Sequence, residues 1–106
     1  MSDTSASSGL LSADEVRTAL DSLPGWTGGV EHLYRDVDVS SDSQDELEAA
    51  VMGVADELNH HPEVERREDG MRFVLWSHDA GGVTSRDVEL AARIDQVLSG
   101  PRSTAT

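Results

Sequence analysis

Three of the four histidines in the chain lie where they could take part in acid–base chemistry. His60 and His61 are adjacent in the segment ELNHHPE, directly before Pro62, and His78 lies in the segment WSHDAGG. Imidazole is the side chain that titrates nearest neutrality, so it can donate or accept a proton under physiological conditions. The sequence therefore predicts either one site built around several imidazoles or a helix that ends in two solvated rings.

Carboxylates lie at spacings that could orient these rings. Asp56 precedes His60 by four residues, so on a helix the two side chains would project from the same face and could touch. A carboxylate in contact with an imidazole orients the ring and favours its charged form. Asp79 and Asp87 lie in and after the loop that follows His78. The spacing thus predicts an Asp56–His60 pair and two further carboxylates near the third histidine.

A metal site is the main alternative use of such histidines. Three imidazoles are a known ligand set of catalytic zinc, but adjacent residues such as His60 and His61 usually point apart. The chain has no cysteine, which excludes thiolate ligands, thiol nucleophiles and disulfides. The Gly81–Gly82 pair lacks the lysine and the further glycines of a phosphate-binding loop. We therefore predict no metal ligands.

The charge of the chain limits its partners. Twenty-one acidic residues and eight basic residues, all of them arginine, give a net charge of −13 over 106 residues. A surface of this sign repels nucleic-acid phosphates and anionic membranes, so we expect no direct binding to either. No apolar run is long enough for a membrane span or a signal-peptide core. We expect a cytoplasmic protein.

The periodicity of apolar residues predicts seven elements. Capping-box pairs, Ser12 with Glu15 and Thr84 with Asp87, mark the starts of the first and last helices. The predicted central helix is 43–59, and the predicted strands are 26–30, 32–39, 64–67 and 71–77. The order α-β-β-α-β-β-α has its strands in adjacent pairs, which favours antiparallel hairpins. We predict an α+β two-layer sandwich, with a four-stranded antiparallel sheet and helices packed on one face.

The predicted domain organisation is simple. Length and composition fit one domain, which we place at residues 10–99. Residues 1–9 and 100–106 are small and polar without periodicity, so we predict a disordered tail at each end.

The combined motifs resemble the pterin-4a-carbinolamine dehydratase family over about residues 10–98. The family pattern is an acidic residue, three residues, then His-His-Pro, followed by a histidine at the end of a strand and an aspartate in the next helix. In this chain the matching residues are Asp56, His60, His61, Pro62, His78 and Asp87.

The resemblance implies a hydro-lyase that removes water from a 4a-hydroxytetrahydropterin and gives a quinonoid dihydropterin, in pterin cofactor recycling. It implies His60 and His78 as the acid/base pair, and His61 as a third catalytic residue that chiefly holds the pterin. Asp56 would position His60, and Asp87 would support the loop that carries His78. The implied substrate-binding residues are Asp56, His61, Pro62 and Asp79. Members of the family form dimers or tetramers, so we expect a homodimer or a homotetramer without a cofactor.

One departure from the family pattern favours an alternative. Glu68 occupies the position where members commonly have an aromatic residue. The alternative is a catalytically silent binding or assembly-factor-like protein, because a fold alone does not determine an activity. Three imidazoles around one open pocket would favour the enzyme. A ring that points into solvent, or a pocket filled by Trp76, would favour the alternative.

Overall fold

Seven elements follow one another in the predicted order. The computed structural model describes residues 9–104. The elements are α1 (Ala13–Asp21), β1 (Trp26–Gly28), β2 (Leu33–Asp38), α2 (Ser41–Leu58), β3 (Glu63–Arg66), β4 (Gly70–Leu75) and α3 (Ser85–Thr104). This confirms the α+β architecture. No helix within residues 9–104 is long and apolar enough to cross a membrane.

All four strands form one antiparallel sheet in the spatial order β1-β2-β4-β3. Leu33 of β2 pairs with Leu75 of β4, and Val64 of β3 pairs with Phe73 of β4. Directly paired residues share one face of a sheet, so these side chains form the inner face, towards the helices. Because β4 is central, the segment that follows it begins in the middle of the sheet.

The core lies between this inner face and the helices α2 and α3. Its fully buried members include Val51 and Ala55 of α2, Leu90, Ala91 and Ile94 of α3, and Met71, Phe73 and Leu75 of β4. At the edge of the sheet, Trp26 Nε1 donates a hydrogen bond of 2.9 Å to Asp95 Oδ1 and ties β1 to α3. A buried indole N–H needs such a partner.

The two predicted helix starts differ in their hydrogen bonds. At α1 the capping box is complete, because the Ser12 hydroxyl accepts from the Glu15 N–H and the Glu15 carboxylate accepts from the Ser12 N–H. At α3 only half of the box forms. The Asp87 carboxylate accepts from the Thr84 N–H at 2.8 Å, but the Asp87 N–H donates to the Thr84 carbonyl. The Thr84 hydroxyl is therefore left for another partner.

The last helix is longer than predicted. It continues to Thr104, beyond residue 99, where the predicted domain ends. Extending a formed helix costs less than nucleating one, because each further residue adds one hydrogen bond. Residues 1–8 and 105–106, on which the rest of the predicted tails falls, lie outside the described residues.

Candidate active site

The turn after α2 sets the direction of both adjacent histidines. The residue after Leu58, Asn59, adopts a left-handed conformation with φ 55° and ψ 42°. The His60 N–H donates to the Ala55 carbonyl at 3.0 Å, and the Asn59 N–H donates to the Asp56 carbonyl at 3.1 Å. This is the Schellman pattern of a helix end, and asparagine adopts it at low cost. The chain has therefore left the helix before His60, so helical spacing no longer describes its side chain.

The two imidazoles contact two different carboxylates. His60 Nε2 lies 2.5 Å from Asp87 Oδ1, whereas His61 Nε2 lies 2.6 Å from Asp56 Oδ1. The predicted Asp56–His60 pair is therefore wrong. The left-handed turn directs His60 towards α3 and leaves His61 beside Asp56.

Asp87 is the most buried charged side chain of the site, with 0% of its surface exposed. Its Oδ2 atom accepts hydrogen bonds from the Thr84 N–H at 2.8 Å and from the Ser77 hydroxyl at 2.9 Å, while Oδ1 faces His60. Ser77 and Thr84 bracket the loop that carries His78. Asp87 therefore contacts both ends of this loop and also orients His60.

These contacts determine where the His60 ring carries its proton. An ionised carboxylate only accepts hydrogen bonds, so the proton between His60 Nε2 and Asp87 Oδ1 belongs to the ring. We assign this tautomer from the hydrogen-bond network. A neutral His60 ring then has its free lone pair at Nδ1. The arrangement is suited to accepting a proton at Nδ1, because the resulting imidazolium would lie against the Asp87 carboxylate.

Burial separates the two histidine–aspartate pairs. The His60 side chain is 11% exposed, whereas His61 is 51% exposed and its partner Asp56 is 73% exposed. Charge interactions are stronger in the less polarisable interior than in water. Solvent screens the exposed pair, which contributes little to stability. His60 is therefore the ring whose orientation the protein controls most closely.

His78 belongs to an aromatic cluster on the outer face of the sheet. Its ring stacks on Trp76, with centroids 4.2 Å apart and an angle of 27° between the planes. His32 also packs edge-on against Trp76, with ring centroids 4.6 Å apart, so the cluster consists of His32, Trp76 and His78. His78 is exposed and Trp76 is half-buried. The intervening residue, Ser77, is buried, as the alternation of side chains along an extended segment requires.

The three histidines thus make three separate contacts: His60 with Asp87, His61 with Asp56 and His78 with Trp76. Ser77 connects two of these places. Its Oγ atom lies 3.4 Å from His60 Nε2, and His78 is the next residue in the chain. The structure therefore brings the end of β4 to His60.

The remaining predicted site residues lie around this cluster. Pro62 is buried directly after His61. Asp79 is exposed and lines a cavity of about 160 Å³, together with Gly9, Ser77, Ala80, Thr84, Ser85 and Arg86. An Arg86 guanidinium N–H donates to the Asn59 carbonyl at 2.9 Å and ties the start of α3 to the turn after α2. Glu68 is exposed in the turn at the far end of β3, away from Pro62.

No group of three or more histidine, aspartate or glutamate side chains within the described residues 9–104 is arranged to bind a metal ion. The donor set at the buried end of the site consists of one imidazole, one carboxylate and two hydroxyls, which satisfy one another by hydrogen bonds.

Sequence reasoning missed Ser77 as a partner of Asp87, and it missed the contact between the Ser77 and Thr84 hydroxyls. Thr84 was identified only as a helix cap, and Ser77 had no assigned role. A signal was available for Ser77, because it continues the buried alternation Met71, Phe73, Leu75 of the last strand. A hydroxyl at a buried position needs a hydrogen-bond partner, so its place directly before His78 pointed to a polar contact inside the fold.

An ion pair marks the outer face beside the aromatic cluster. Arg72 Nε donates to Asp36 Oδ1 at 2.8 Å, and its guanidinium lies 5.4 Å from the centroid of the Tyr34 ring. The Arg72 hydrogen bond lowers the pKa of Asp36, and the same contact raises the pKa of Arg72. Because the Asp36 side chain is 58% exposed, solvent and salt weaken this pair.

Comparison with known proteins gives one consistent family. The family model described as "Pterin 4 alpha carbinolamine dehydratase" matches residues 9–97. Relatives from Mycolicibacterium smegmatis and Nocardia farcinica, both named "Putative pterin-4-alpha-carbinolamine dehydratase", are 38% and 37% identical to this chain. The alignments cover 85% and 83% of this chain and 97% and 94% of the relatives, respectively.

A solved structure has the same fold. The crystal structure of a transcriptional coactivator/pterin dehydratase from Brucella melitensis superposes with a TM-score of 0.75 at 26% identity. The superposition covers 83% of this chain and 97% of that chain.

Proposed function

The chain belongs to the pterin 4 alpha carbinolamine dehydratase family, and from this premise we propose that it removes water from a 4a-hydroxytetrahydropterin to give a quinonoid dihydropterin. The observation that carries the proposal is the buried contact of 2.5 Å between His60 Nε2 and Asp87 Oδ1. It provides an oriented imidazole of the kind that this proton-transfer reaction requires.

The reaction needs two proton transfers and no change of oxidation state. The bond between C4a and the hydroxyl oxygen breaks, and the hydroxyl takes up a proton and leaves as water. The proton on N5 is removed, and its electron pair forms the C4a=N5 double bond. One group must therefore donate a proton to the hydroxyl and another must accept the proton from N5. Imidazoles can perform both roles near neutral pH.

We assign the acceptor role to His60. Its Nε2–H donates to Asp87, so Nδ1 is free to accept the N5 proton. The positive charge that then develops on the ring is stabilised by the buried carboxylate 2.5 Å away. Because this stabilisation increases as the proton is transferred, it acts on the transition state more than on the bound substrate.

We assign the donor role to His78, the ring that stacks on Trp76. This contact limits the rotation of an otherwise exposed side chain. The proposed pterin-binding residues are Asp56, His61, Pro62 and Asp79. Among them, the contact of 2.6 Å with Asp56 Oδ1 orients the His61 ring.

A binding role without turnover is the second candidate. Two observations favour it: the His61 and His78 side chains are exposed, and the similar protein from Brucella melitensis is named a transcriptional coactivator as well as a pterin dehydratase. In either case we expect a cytoplasmic homodimer or homotetramer. The net charge of −13 argues against direct contact with nucleic acid or an anionic membrane.

The test is the rate at which freshly generated 4a-hydroxytetrahydropterin loses water, followed by ultraviolet absorbance, at low and high salt. We expect the wild type to exceed the spontaneous rate and His60→Ala to lose about 10²- to 10⁴-fold in kcat, the usual contribution of general acid–base catalysis. Ser99→Ala, an exposed change on α3, serves as the control. If the wild type gave no acceleration at any salt concentration, the enzyme assignment would fail and the binding role would take its place.

A further inference from the structure

We propose that Ser77 and Thr84 are positioning residues for His60, which they control through Asp87. The inference rests on the proposed function for its meaning in catalysis, but the contacts that carry it are independent of the reaction. The residues come from three places: His60 follows α2, Ser77 follows β4, and Thr84 and Asp87 lie at the start of α3. The hydroxyl pair thus connects the two ends of the loop after β4 to the buried carboxylate.

The two oxygens of Asp87 have different partners. Oδ2 accepts from the Thr84 N–H at 2.8 Å and from the Ser77 hydroxyl at 2.9 Å, whereas Oδ1 faces His60 alone. The two short contacts on Oδ2, from the Thr84 N–H and the Ser77 hydroxyl, together with the longer one of 3.4 Å from the Thr84 hydroxyl, limit the rotation of the carboxylate. Oδ1 is therefore held at one position, where it accepts the Nε2 proton of His60 and favours this tautomer of the imidazole.

Counting hydroxyl protons gives the network a single direction. The one proton of the Ser77 hydroxyl is donated to Asp87, so in the contact of 2.8 Å Ser77 Oγ accepts from the Thr84 hydroxyl, which also lies 3.4 Å from Asp87 Oδ2. The order of donation is Thr84 to Ser77 to Asp87, with His60 donating from the other side. Ser77 Oγ is also 3.4 Å from His60 Nε2, which is long for a hydrogen bond. Ser77 therefore acts on His60 mainly through the carboxylate.

Burial makes these hydroxyls difficult to replace. Ser77 is 2% exposed and Thr84 is 6% exposed, so little of either side chain is open to solvent, although both residues line the cavity of about 160 Å³. Leaving a buried polar group without its hydrogen-bond partner costs more free energy than leaving an exposed group without one. Deleting either hydroxyl is thus expected to increase the mobility of the Asp87 carboxylate.

Two pairs of variants test the inference. Thr84→Val removes the hydroxyl and keeps the shape, whereas Thr84→Ser keeps the hydroxyl and removes the methyl group. Ser77→Ala removes the central hydroxyl, and Ser99→Ala is the matched exposed control. We expect kcat to fall about 10- to 100-fold in Ser77→Ala, which loses a hydrogen bond to a charged group, and about 2- to 10-fold in Thr84→Val, which loses a neutral one. Thr84→Ser should restore the wild-type rate, and KM should change little.

A second measurement separates positioning from folding and from the reaction itself. The ¹⁵N chemical shifts of the His60 ring report its tautomer, and we expect one Nε2–H form in the wild type and a mixture in Ser77→Ala. A single unchanged tautomer in Ser77→Ala and Thr84→Val, with kcat equal to that of Ser99→Ala, would overturn the inference and leave the dehydratase intact. If no variant and no wild type dehydrates pterin, the proposed function fails, while the tautomer still decides the positioning role.

Discussion

The Asp87→Asn substitution tests the central contact of the site with almost no change of volume. Oδ2 of Asp87 accepts two hydrogen bonds, from the Thr84 N–H and the Ser77 hydroxyl, so the oxygen of the new amide is expected to take that position. The amide NH₂ then faces His60 Nε2, where Oδ1 had been. Because two donors cannot bond to each other, the ring must release its proton from Nε2 and carry it on Nδ1.

The expected loss of activity follows from this change of the His60 tautomer. Losing a charged hydrogen bond costs about 1.5–3 kcal/mol, which corresponds to about 10- to 150-fold in rate. In addition, a His60 ring that is protonated at Nδ1 has its lone pair at Nε2, against residue 87, so it no longer offers the nitrogen that accepts the N5 proton in the proposed reaction. The loss should therefore approach that of His60→Ala, about 10²- to 10⁴-fold in kcat. Removal of the orienting aspartate from a serine-protease triad, in an unrelated enzyme, costs about 10⁴-fold for the same reason.

The assay compares kcat for Asp87→Asn, for His60→Ala and for the double variant, with Asp14→Asn as a control that removes one exposed carboxylate. Residues that act as one unit give non-additive losses, so the double variant should be no slower than His60→Ala. A kcat for Asp87→Asn within about threefold of the wild type would refute the reasoning. Such a decrease is smaller than the decrease of about 10-fold or more that we expect from the loss of one charged hydrogen bond. Fully additive losses would refute it as well.

Two further changes test features outside the acid–base pair. Asn59→Gly should leave the free energy of unfolding nearly unchanged, because glycine adopts a left-handed conformation easily. Asn59→Val should lower it by about 1–2 kcal/mol in urea unfolding, because valine resists this conformation. Equal unfolding midpoints of the two variants would contradict this prediction. The Arg72 hydrogen bond lowers the pKa of Asp36 from its ordinary value of 3.8, so the pair stabilises the fold above this value and the contribution is lost as the pH falls through the lowered pKa. Arg72→Gln should thus unfold more easily than wild type at neutral pH, with the difference shrinking in strong acid and at high salt; a pH-independent difference would contradict the pairing.

The architecture was predictable because it depends on local patterns. The capping box at Ser12, the apolar periodicity of the central helix and the antiparallel pairing of adjacent strands each agree with the final fold. The end of the last helix at Thr104 was missed, because composition alone does not record how far an existing helix extends.

The pairing inside the site was less predictable. The four-residue spacing of Asp56 and His60 assumed that the helix includes His60, but one left-handed residue, Asn59, ends it earlier. Once this turn is known, the exchange of partners follows, because His60 points to α3 and His61 stays near Asp56. Asparagine is enriched at such helix ends, so its place before the histidine pair carried the signal.

The meeting of two helix ends explains why the His60–Asp87 pair suits proton transfer. His60 follows the C-terminal end of α2, where the helix dipole favours positive charge, and Asp87 lies in the first turn of α3, where the dipole favours negative charge. The Arg86 bond to the Asn59 carbonyl keeps these two ends together. Both dipoles therefore suit an imidazolium beside a carboxylate, which is the state that the proposed proton transfer to His60 would form. The backbone contributes to that state before any substrate binds, and the hydroxyls of Ser77 and Thr84 fix the geometry in which it acts.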